Sequence, residues 1–186
     1  MTKRQQIIDT TIQLVAEMGL YATSMGLIVK ESNVAAGTIY HYFKNKEDLI
    51  KTVYSELREE MGKAFIQNID NALPYKEKFF LIWKNLFYYF KDNPQKFQFI
   101  EHYASSPLEK NEVKDINQRH YQPAINFIQK GIEMGYLRTL PESFIIQLIF
   151  AHVSVVVRMI LFDETDISVT TLQLLIQSCW DSVRIN

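Results

Sequence analysis

Residues 23–50 read TSMGLIVKESNVAAGTIYHYFKNKEDLI, and this stretch predicts two short helices joined by a turn. Thr23 or Ser24 can cap a helix, and Asn33 suits the left-handed conformation that would end it. A further short helix is predicted over residues 35–42. Because each helix would be about two turns long and only a short turn separates them, the pattern indicates a helix-turn-helix.

The helix over residues 35–42 is predicted to have two unlike sides. Ile39 is four residues from Phe43, so both would face inward, against Ile28 and Val34. The opposite side would present polar and aromatic groups followed by lysines: Thr38, Tyr40, His41, Tyr42, Lys44 and Lys46. Such groups can donate to phosphate oxygens, and methyl groups can meet base edges. The alternative interpretation is that these aromatic residues only pack between domains.

The rest of the chain also has helical periodicity, and about nine helices are predicted. Only 6 Gly and 5 Pro occur in 186 residues, which argues against a sheet with many tight turns. The expected helix boundaries are set by glycine, proline and capping residues: Gly19 ends the first helix, Asn45 caps a fourth that reaches about residue 70, Pro74, Pro94 and Pro141 open the fifth, sixth and eighth, a seventh covers about 109–134, and Thr165 or Asp166 caps the ninth.

Composition excludes several classes of protein. The hydrophobic fraction of 47% is that of a globular chain, and the net charge of −1 gives no global attraction to nucleic acid or membrane. Residues 1–46 nevertheless carry five bases and three acids, a local excess of +2. Cys179 is the single cysteine, as expected in a reducing compartment, and no apolar signal region follows Lys3 and Arg4. A cytoplasmic location is therefore expected.

The stretch FIIQLIFAHVSVVVRMILF, residues 144–162, is the one that suggests a membrane span. Gln147, Ala151, Ser154 and Arg158 are spaced so that they share one stripe of a helix. A bilayer span should not carry that stripe and an arginine. We therefore expect a buried helix and no membrane partner.

The stretch 23–50 resembles the DNA-binding signature of the Tet-repressor (TetR/AcrR) family of bacterial transcriptional regulators. The matching residues are Thr23, Ser24, Ile28, Gly37, Thr38, Ile39, Tyr40, Tyr42, Phe43, Lys46, Glu47 and Leu49. The resemblance implies an all-α fold of two domains. An N-terminal three-helix DNA-binding domain would cover 1–47, with its helix-turn-helix at about 24–43, and a C-terminal ligand-binding and dimerisation domain would cover 48–186.

The same resemblance implies which residues contact DNA. The phosphate contacts would be Thr23, Ser24, Tyr40, His41, Tyr42 and Lys46, and the residues nearest the bases would be Ala35, Ala36, Gly37 and Thr38. The chain departs from the usual pattern at Val29 and Asn33, and Ala36 stands where many relatives carry a polar or basic side chain. Few direct hydrogen bonds to bases would remain, so we expect greater reliance on DNA shape.

A homodimer is predicted because one such helix reads only a few base pairs. Dimeric helix-turn-helix proteins place two reading helices about 34 Å apart, or a multiple of that. The last two predicted helices are strongly apolar and could pair in a four-helix interface. The alternative is that both are buried within the monomer.

Residues 79–103 are rich in aromatic side chains. Phe79, Trp83, Phe87 and Phe90 would share one helix face, and core packing is the simplest interpretation for Phe79 and Phe90. The family resemblance implies a ligand cavity in this domain, and ligand cavities are mostly apolar with a few polar groups. The candidate ligand-binding residues are Trp83, Phe87, Tyr89, His102, Tyr103 and Tyr121.

The predicted function is that of a ligand-responsive repressor. It would bind a palindromic double-stranded DNA operator as a homodimer and leave it when a small apolar or aromatic effector moves the fourth helix as a lever. No cofactor or metal ion is predicted. An enzyme is the main alternative, but the sequence contains no nucleophile elbow, Gly-rich phosphate loop or His-x-x-x-His pair. A helical protein-interaction module without DNA binding is the other.

Overall fold

The computed structural model describes residues 2–110, 114–163 and 166–185, with the side chains of 109, 110 and 114–121 outside that description. The regular elements in these ranges are helices, and one isolated bridge pairs Leu137 with Arg184. The ten helices are α1 (Lys3–Ala22), α2 (Met25–Ser32), α3 (Ala36–Tyr42), α4 (Lys46–Phe65), α5 (Tyr75–Asp92), α6 (Pro94–Ala104), α7 (Pro107–Lys110), α8 (Lys114–Glu133), α9 (Glu142–Phe162) and α10 (Val169–Val183). The nine longer helices correspond to the nine that the sequence predicts. The predicted start of the seventh, at about residue 109, falls in the single turn α7, and residues 111–113 lie outside the described part of the chain.

The chain divides into two compact units. Unit 1 comprises Met1–Glu59 and Asn93–Asn117, and unit 2 comprises Glu60–Asp92 and Gln118–Asn186. Helix α4 therefore contributes residues to both units without a break. Helix α6 belongs to unit 1 although it follows α5 in sequence.

The core of unit 1 is formed where α6 packs along α1. Ile7, Ile8 and Val15 are buried on α1, and Phe97 and Tyr103 are buried on α6. The Tyr103 ring also stacks on Tyr54 of α4, with centroids 3.7 Å apart. Gly19 has a φ of 81°, which interrupts α1 at the predicted position because a left-handed residue cannot continue the helix. One more turn follows it, to Ala22.

The core of unit 2 is built on α5, which packs against α9 and α10. Phe79, Trp83, Phe87 and Phe90 are all buried, so the predicted apolar face of α5 is confirmed. Tyr75 at the start of α5 lies between the rings of Phe127 and Tyr136, at centroid distances of 4.5 and 4.9 Å. Gly131 leaves room for it.

Two predicted helix boundaries are wrong. Helix α4 ends at Phe65 instead of reaching residue 70, because the Asn85 side chain on α5 donates hydrogen bonds to the carbonyls of Phe65 and Gln67, at 3.4 and 2.8 Å. The last helix is capped by Ser168, whose hydroxyl accepts from the Thr171 N–H at 3.1 Å, and not by Asp166. Thr165 lies outside the described residues.

Candidate functional site

The turn between α2 and α3 is fixed by local backbone chemistry. The Ser24 hydroxyl caps α2 by accepting a hydrogen bond from the Leu27 N–H at 3.2 Å. Asn33 then adopts φ 53° and ψ 31°, the left-handed conformation predicted for it. Gln6 on α1 donates its side-chain N–H to the Ser32 carbonyl at 2.7 Å. The end of α2 is therefore tied to α1 before the chain turns into α3.

The inner side of α3 is anchored as predicted. Ile39 and Phe43 are buried, as are Ile28 on α2 and Val34 in the turn. Burying such side chains contributes about 1.5–3 kcal/mol each, so together they hold α3 firmly against the rest of unit 1. The orientation of α3 is thus set by its apolar residues, which leaves the other side free for recognition.

The outer side of α3 is exposed. Tyr40 and Tyr42 keep 53% and 43% of their surface accessible, and His41 between them is exposed as well. The small residues 35–37 at the start of the helix are also exposed. A methyl group placed on Gly37 would meet no atom within 4 Å. This side of α3 therefore presents hydroxyl, imidazole and backbone groups that are accessible to another molecule.

The candidate phosphate contacts Thr23 and Lys46 have internal partners. Thr23 is fully buried, and its hydroxyl donates to the Gly19 carbonyl at 2.9 Å, so its side chain stabilises the end of α1. The Lys46 ammonium donates to the Leu20 carbonyl at 2.5 Å, and burial lowers the pKa of Lys46. Ser24 is exposed and Thr38 is half-buried, so both keep access to a ligand.

The start of α4 carries the cap that the sequence predicts. The Asn45 side chain accepts from the Asp48 N–H at 2.9 Å, and the Asp48 carboxylate accepts from the Lys44 N–H at 2.8 Å. Acidic residues in the first turn also oppose the positive end of the helix dipole. This double cap fixes the chain immediately after α3, next to the exposed ring of Tyr42.

Sequence reasoning missed three residues of this region. Arg4 forms an ion pair with Glu56 on α4 and lies 5.7 Å from the centroid of the Phe43 ring, so it links α1 to both later helices. Gln6 ties α1 to α2, as described above. Tyr21 is 82% exposed at the end of α1. The contacts of Arg4 and Gln6 span 26 or more positions in the chain, so no local pattern could indicate them.

The six candidate ligand-binding residues do not come together in one unit. Trp83, Phe87 and Tyr89 lie in unit 2, whereas His102 and Tyr103 lie in unit 1, and the Tyr121 side chain lies outside the described residues. Trp83 stacks on Phe87 with centroids 5.4 Å apart. The Tyr89 hydroxyl donates to Glu60 at 3.2 Å, and burial together with the Glu60 charge raises the pKa of Tyr89. Their role in ligand binding stays a prediction.

A polar chain runs from Trp83 into the last helix. The Trp83 indole N–H donates to His152 Nδ1 at 3.3 Å, and His152 Nε2 lies 3.1 Å from the Ser178 hydroxyl. Burial lowers the pKa of His152. Since Nδ1 accepts a hydrogen bond, the neutral imidazole with its proton on Nε2 fits this pattern. Trp83 is therefore a core residue whose indole N–H is hydrogen-bonded to His152.

Unit 2 also contains a cavity of about 580 Å³, and none of the five candidates with a described side chain lines it. Its wall includes Phe65 and Ile66 at the end of α4, Tyr75 and Lys78 on α5, and Lys130 on α8. The volume lies within the range of cavities that bind small molecules, roughly 300–1,000 Å³. No sequence pattern pointed to it, because its residues come from three helices and from the loops that follow α4 and α8.

The site and fold define a class of protein: an all-α, helix-turn-helix DNA-binding protein. Residues 7–53 match the family described as Bacterial regulatory proteins, tetR family, and residues 74–184 match the Tetracyclin repressor-like, C-terminal domain. The second match alone covers more than half of the chain. The chain belongs to the TetR family of transcriptional regulators, and it is a DNA-binding regulator, not an enzyme.

Individual relatives agree over nearly the full length. An HTH-type transcriptional regulator from Haemophilus influenzae is 29% identical over 180 residues, which is 97% of this chain and 95% of the relative. The crystal structure of a TetR family transcription regulator from Marinobacter aquaeolei VT8 has a TM-score of 0.89 at 22% identity, covering 99% and 96% of the two chains. The transcriptional regulator FadR from Bacillus subtilis, solved with stearoyl-CoA, has a TM-score of 0.75 at 24% identity, covering 95% of each. The predicted all-α fold is confirmed.

Proposed function

We propose that this regulator is a cytoplasmic repressor that binds a palindromic operator as a homodimer and leaves it when a small apolar effector binds. The observation that carries the proposal is the two-sided character of α3. Its inner residues are buried while Tyr40, His41 and Tyr42 face outward. In this proposal, residues 1–47 bind DNA and residues 48–186 bind the effector and form the dimer.

The proposed DNA contacts follow from the exposed groups. Tyr40, His41, Tyr42 and Ser24 hold phosphates, and residues 35–38 lie nearest the bases. Lys46 keeps two further N–H donors after its bond to Leu20, so it can still contact a phosphate. Thr23 is left out because its hydroxyl is buried and already used.

Gly37 supports a close approach of DNA to α3. Glycine within a helix costs about 0.5–1 kcal/mol relative to alanine. Beyond its chain neighbours and the adjoining helix backbone, no atom of the described chain lies within 4 Å of where its methyl group would be, and its φ does not require glycine. No neighbour in the described chain explains the glycine. We therefore propose that glycine is needed because the DNA backbone or a base edge comes close to α3 at this position.

The proposed dimer uses the exposed apolar stripe of α9 together with exposed apolar residues of α10. Large apolar side chains recur on α9 at steps of three or four residues, with Ala151 between them: Phe144, Leu148, Val155, Met159 and Phe162. Val169 and Leu174 on α10 are exposed too. The expectation of a buried helix is therefore wrong for α9, because these large apolar side chains remain exposed, and by length and composition the helix could also cross a membrane. Pairing with a second copy is the proposal here, because α9 carries the exposed Arg158 and belongs to the regulatory domain match.

The proposed effector response acts through α4. This helix runs unbroken from Lys46, next to α3, to Phe65 in unit 2. A ligand that binds one conformation of unit 2 better than another can therefore bias the DNA-bound state. The Bacillus subtilis relative solved with stearoyl-CoA supports an effector with an apolar tail.

Selection of bound sequences from random DNA tests the DNA-binding part of this proposal. The full-length protein should enrich a two-fold symmetric sequence whose half-sites are centred about 34 Å apart or a multiple of that. Enrichment of a single asymmetric half-site would contradict the dimer, and the absence of any enriched sequence would contradict operator recognition.

Sedimentation of stripe variants tests the dimer. Leu148→Asp combined with Val155→Asp places two charges in the proposed interface and should give a monomer, because buried unpaired charges are strongly unfavourable. Tyr88→Asp is the control, since Tyr88 is exposed on a different helix, α5. A monomeric wild-type protein at micromolar concentration would refute this interface.

A further inference from the structure

We infer that the cavity between the end of α4, the start of α5 and α8 binds an amphiphilic organic anion, with an apolar chain against its wall and an anionic head group near Lys78 and Lys130. The inference deepens the effector part of the proposed function and rests on it for its regulatory meaning. As a binding site it stands on the cavity alone.

The wall of the cavity is apolar and preformed. Phe65, Ile66, Ile69, Leu73 and Ile82 are among the residues that line it. Tyr75 forms another part of the wall and is held in place on both faces, by Phe127 and Tyr136. A preformed wall requires little ordering when a ligand binds, so apolar contact converts efficiently into affinity.

The rigidity of Tyr75 has a specific origin. Its hydroxyl donates to the Phe127 carbonyl at 3.0 Å, and burial raises the pKa of Tyr75 so that it remains a neutral donor. A methyl group on Gly131 would lie 2.1 Å from that hydroxyl oxygen. Glycine at 131 therefore permits the tyrosine to occupy the wall of the cavity.

The described residues that line the cavity carry charge of one sign only. Lys78 and Lys130 line it, and no aspartate or glutamate does so among the described residues. Lys78 donates to the Asn71 carbonyl at 2.6 Å, and neither lysine forms an ion pair within the described part of the chain. Each lysine keeps N–H donors for an anion. Two cations beside an apolar wall favour a ligand that is apolar at one end and negative at the other.

The position of the cavity gives a route to regulation. Phe65 is the last residue of α4, and its carbonyl is capped by Asn85. The loop that follows is held by the bond from Lys78 to Asn71. An anion that binds the remaining N–H donors of Lys78 contacts the side chain that holds this loop, and the apolar chain contacts Phe65 and Ile66. Ligand binding therefore acts directly on the end of the helix that leads to the DNA-binding unit.

Calorimetry of the full-length protein with three probes of equal chain length tests the inference. Decanoate is negative, decan-1-ol is neutral and decyltrimethylammonium is positive, all at pH 7.5 and below micelle formation. Decanoate should bind most tightly. Lys78→Gln combined with Lys130→Gln should weaken decanoate about tenfold and leave decan-1-ol unchanged, because only the charged head loses its partners. Decyl phosphate in a separate arm distinguishes a phosphate head from a carboxylate.

Lys76→Gln is the matched control. It removes the same charge two residues away on α5, and Lys76 lies over the Phe80 ring, outside the cavity lining. Equal affinity for the three probes, an equal loss in Lys76→Gln, or no decanoate binding at about 1 mM would overturn the inference.

A parallel measurement separates this inference from the proposed function. Fluorescence anisotropy gives the affinity for the selected operator with and without decanoate. Lysine-dependent decanoate binding that leaves operator affinity unchanged supports the cavity site and refutes the effector response. Intact operator binding without decanoate binding refutes the cavity site alone.

Discussion

The tyrosines of α3 are exposed, whereas the aromatic residues on the apolar face of α5 are buried. These are Tyr40 and Tyr42 on α3, and Phe79, Trp83 and Phe90 on α5. Helix α5 has 18 residues and packs against two helices, so it has space to bury a full face. Helix α3 has seven residues and anchors itself through Ile39 and Phe43, which leaves its phenol rings outside. Aromatic content alone therefore does not distinguish recognition from core packing, but position relative to the anchoring residues does.

Two glycines repeat the contrast. Gly131 is required by an internal neighbour, since Tyr75 occupies the space of a side chain. Gly37 has no such neighbour within the described residues. One glycine serves the core, and for the other we propose a role at the surface that meets DNA.

The comparison is tested most severely by Trp83→Ala. Trp83 is fully buried and bonded to His152, so we expect a loss of about 3–5 kcal/mol in the free energy of unfolding. Urea denaturation measures it, with Tyr88→Ala as the exposed control on the same helix. A loss below about 1 kcal/mol would mean that Trp83 does not belong to the core.

Tyr42→Ala should have the converse effect. Loss of a hydrogen bond to a charged phosphate corresponds to about 1.5–3 kcal/mol, so operator affinity should fall at least tenfold. The free energy of unfolding should change little, because Tyr42 is exposed. Anisotropy at several salt concentrations measures the affinity, and unchanged binding would place DNA recognition elsewhere.

Gly131→Ala should destabilise unit 2. The methyl group would overlap the Tyr75 hydroxyl, and overpacking of this kind costs about 1–3 kcal/mol. Urea denaturation again measures the change. The methyl group would also lie 2.4 Å from Tyr75 Cζ, so Gly131→Ala should cost less in a Tyr75→Ala background, where both atoms are absent. An equal cost in the two backgrounds would show that the clash with Tyr75 is not the cause.

Gly37→Ala sharpens the comparison between the glycines. The variant should be more stable by up to about 1 kcal/mol, because alanine is the better helix former and the position is open. It should also bind the operator less tightly, since the methyl group would occupy the space into which DNA approaches. Thermal unfolding and anisotropy measure the two effects, and tighter operator binding would contradict close approach at Gly37.

The smallest effect concerns His152. Burial lowers its pKa, so below pH 6.5 the unfolded chain takes up a proton that the folded imidazole does not. This contribution lowers stability as the pH falls from 6.5 toward the folded pKa. Between pH 7 and pH 5.5, the free energy of unfolding should fall less in His152→Gln than in the wild-type protein. The difference should be below about 1 kcal/mol, because the His152 ring is only half-buried and solvent screens its charge. Identical pH profiles for both proteins would refute it.

Local pattern was sufficient for the helix-turn-helix. The caps at Ser24 and Asn45, the left-handed Asn33 and the burial of Ile39 and Phe43 were all predictable, because each depends on residues within a few positions. The buried face of α5 was predictable for the same reason. The end of α4 was not, because Asn85 caps it from another helix.

The all-α class and the helix-turn-helix were predictable from the sequence, since helical periodicity and capping are properties of neighbouring residues. The family was predictable from the motif in residues 23–50. Four features became visible only in the folded chain. Thr23 is buried, Lys46 donates a hydrogen bond to Leu20, and Arg4 forms an ion pair with Glu56. The fourth is the cavity lined by Tyr75 and Lys78. The physical reason is that each of these depends on groups far apart in the chain, whose meeting follows from the packing of helices.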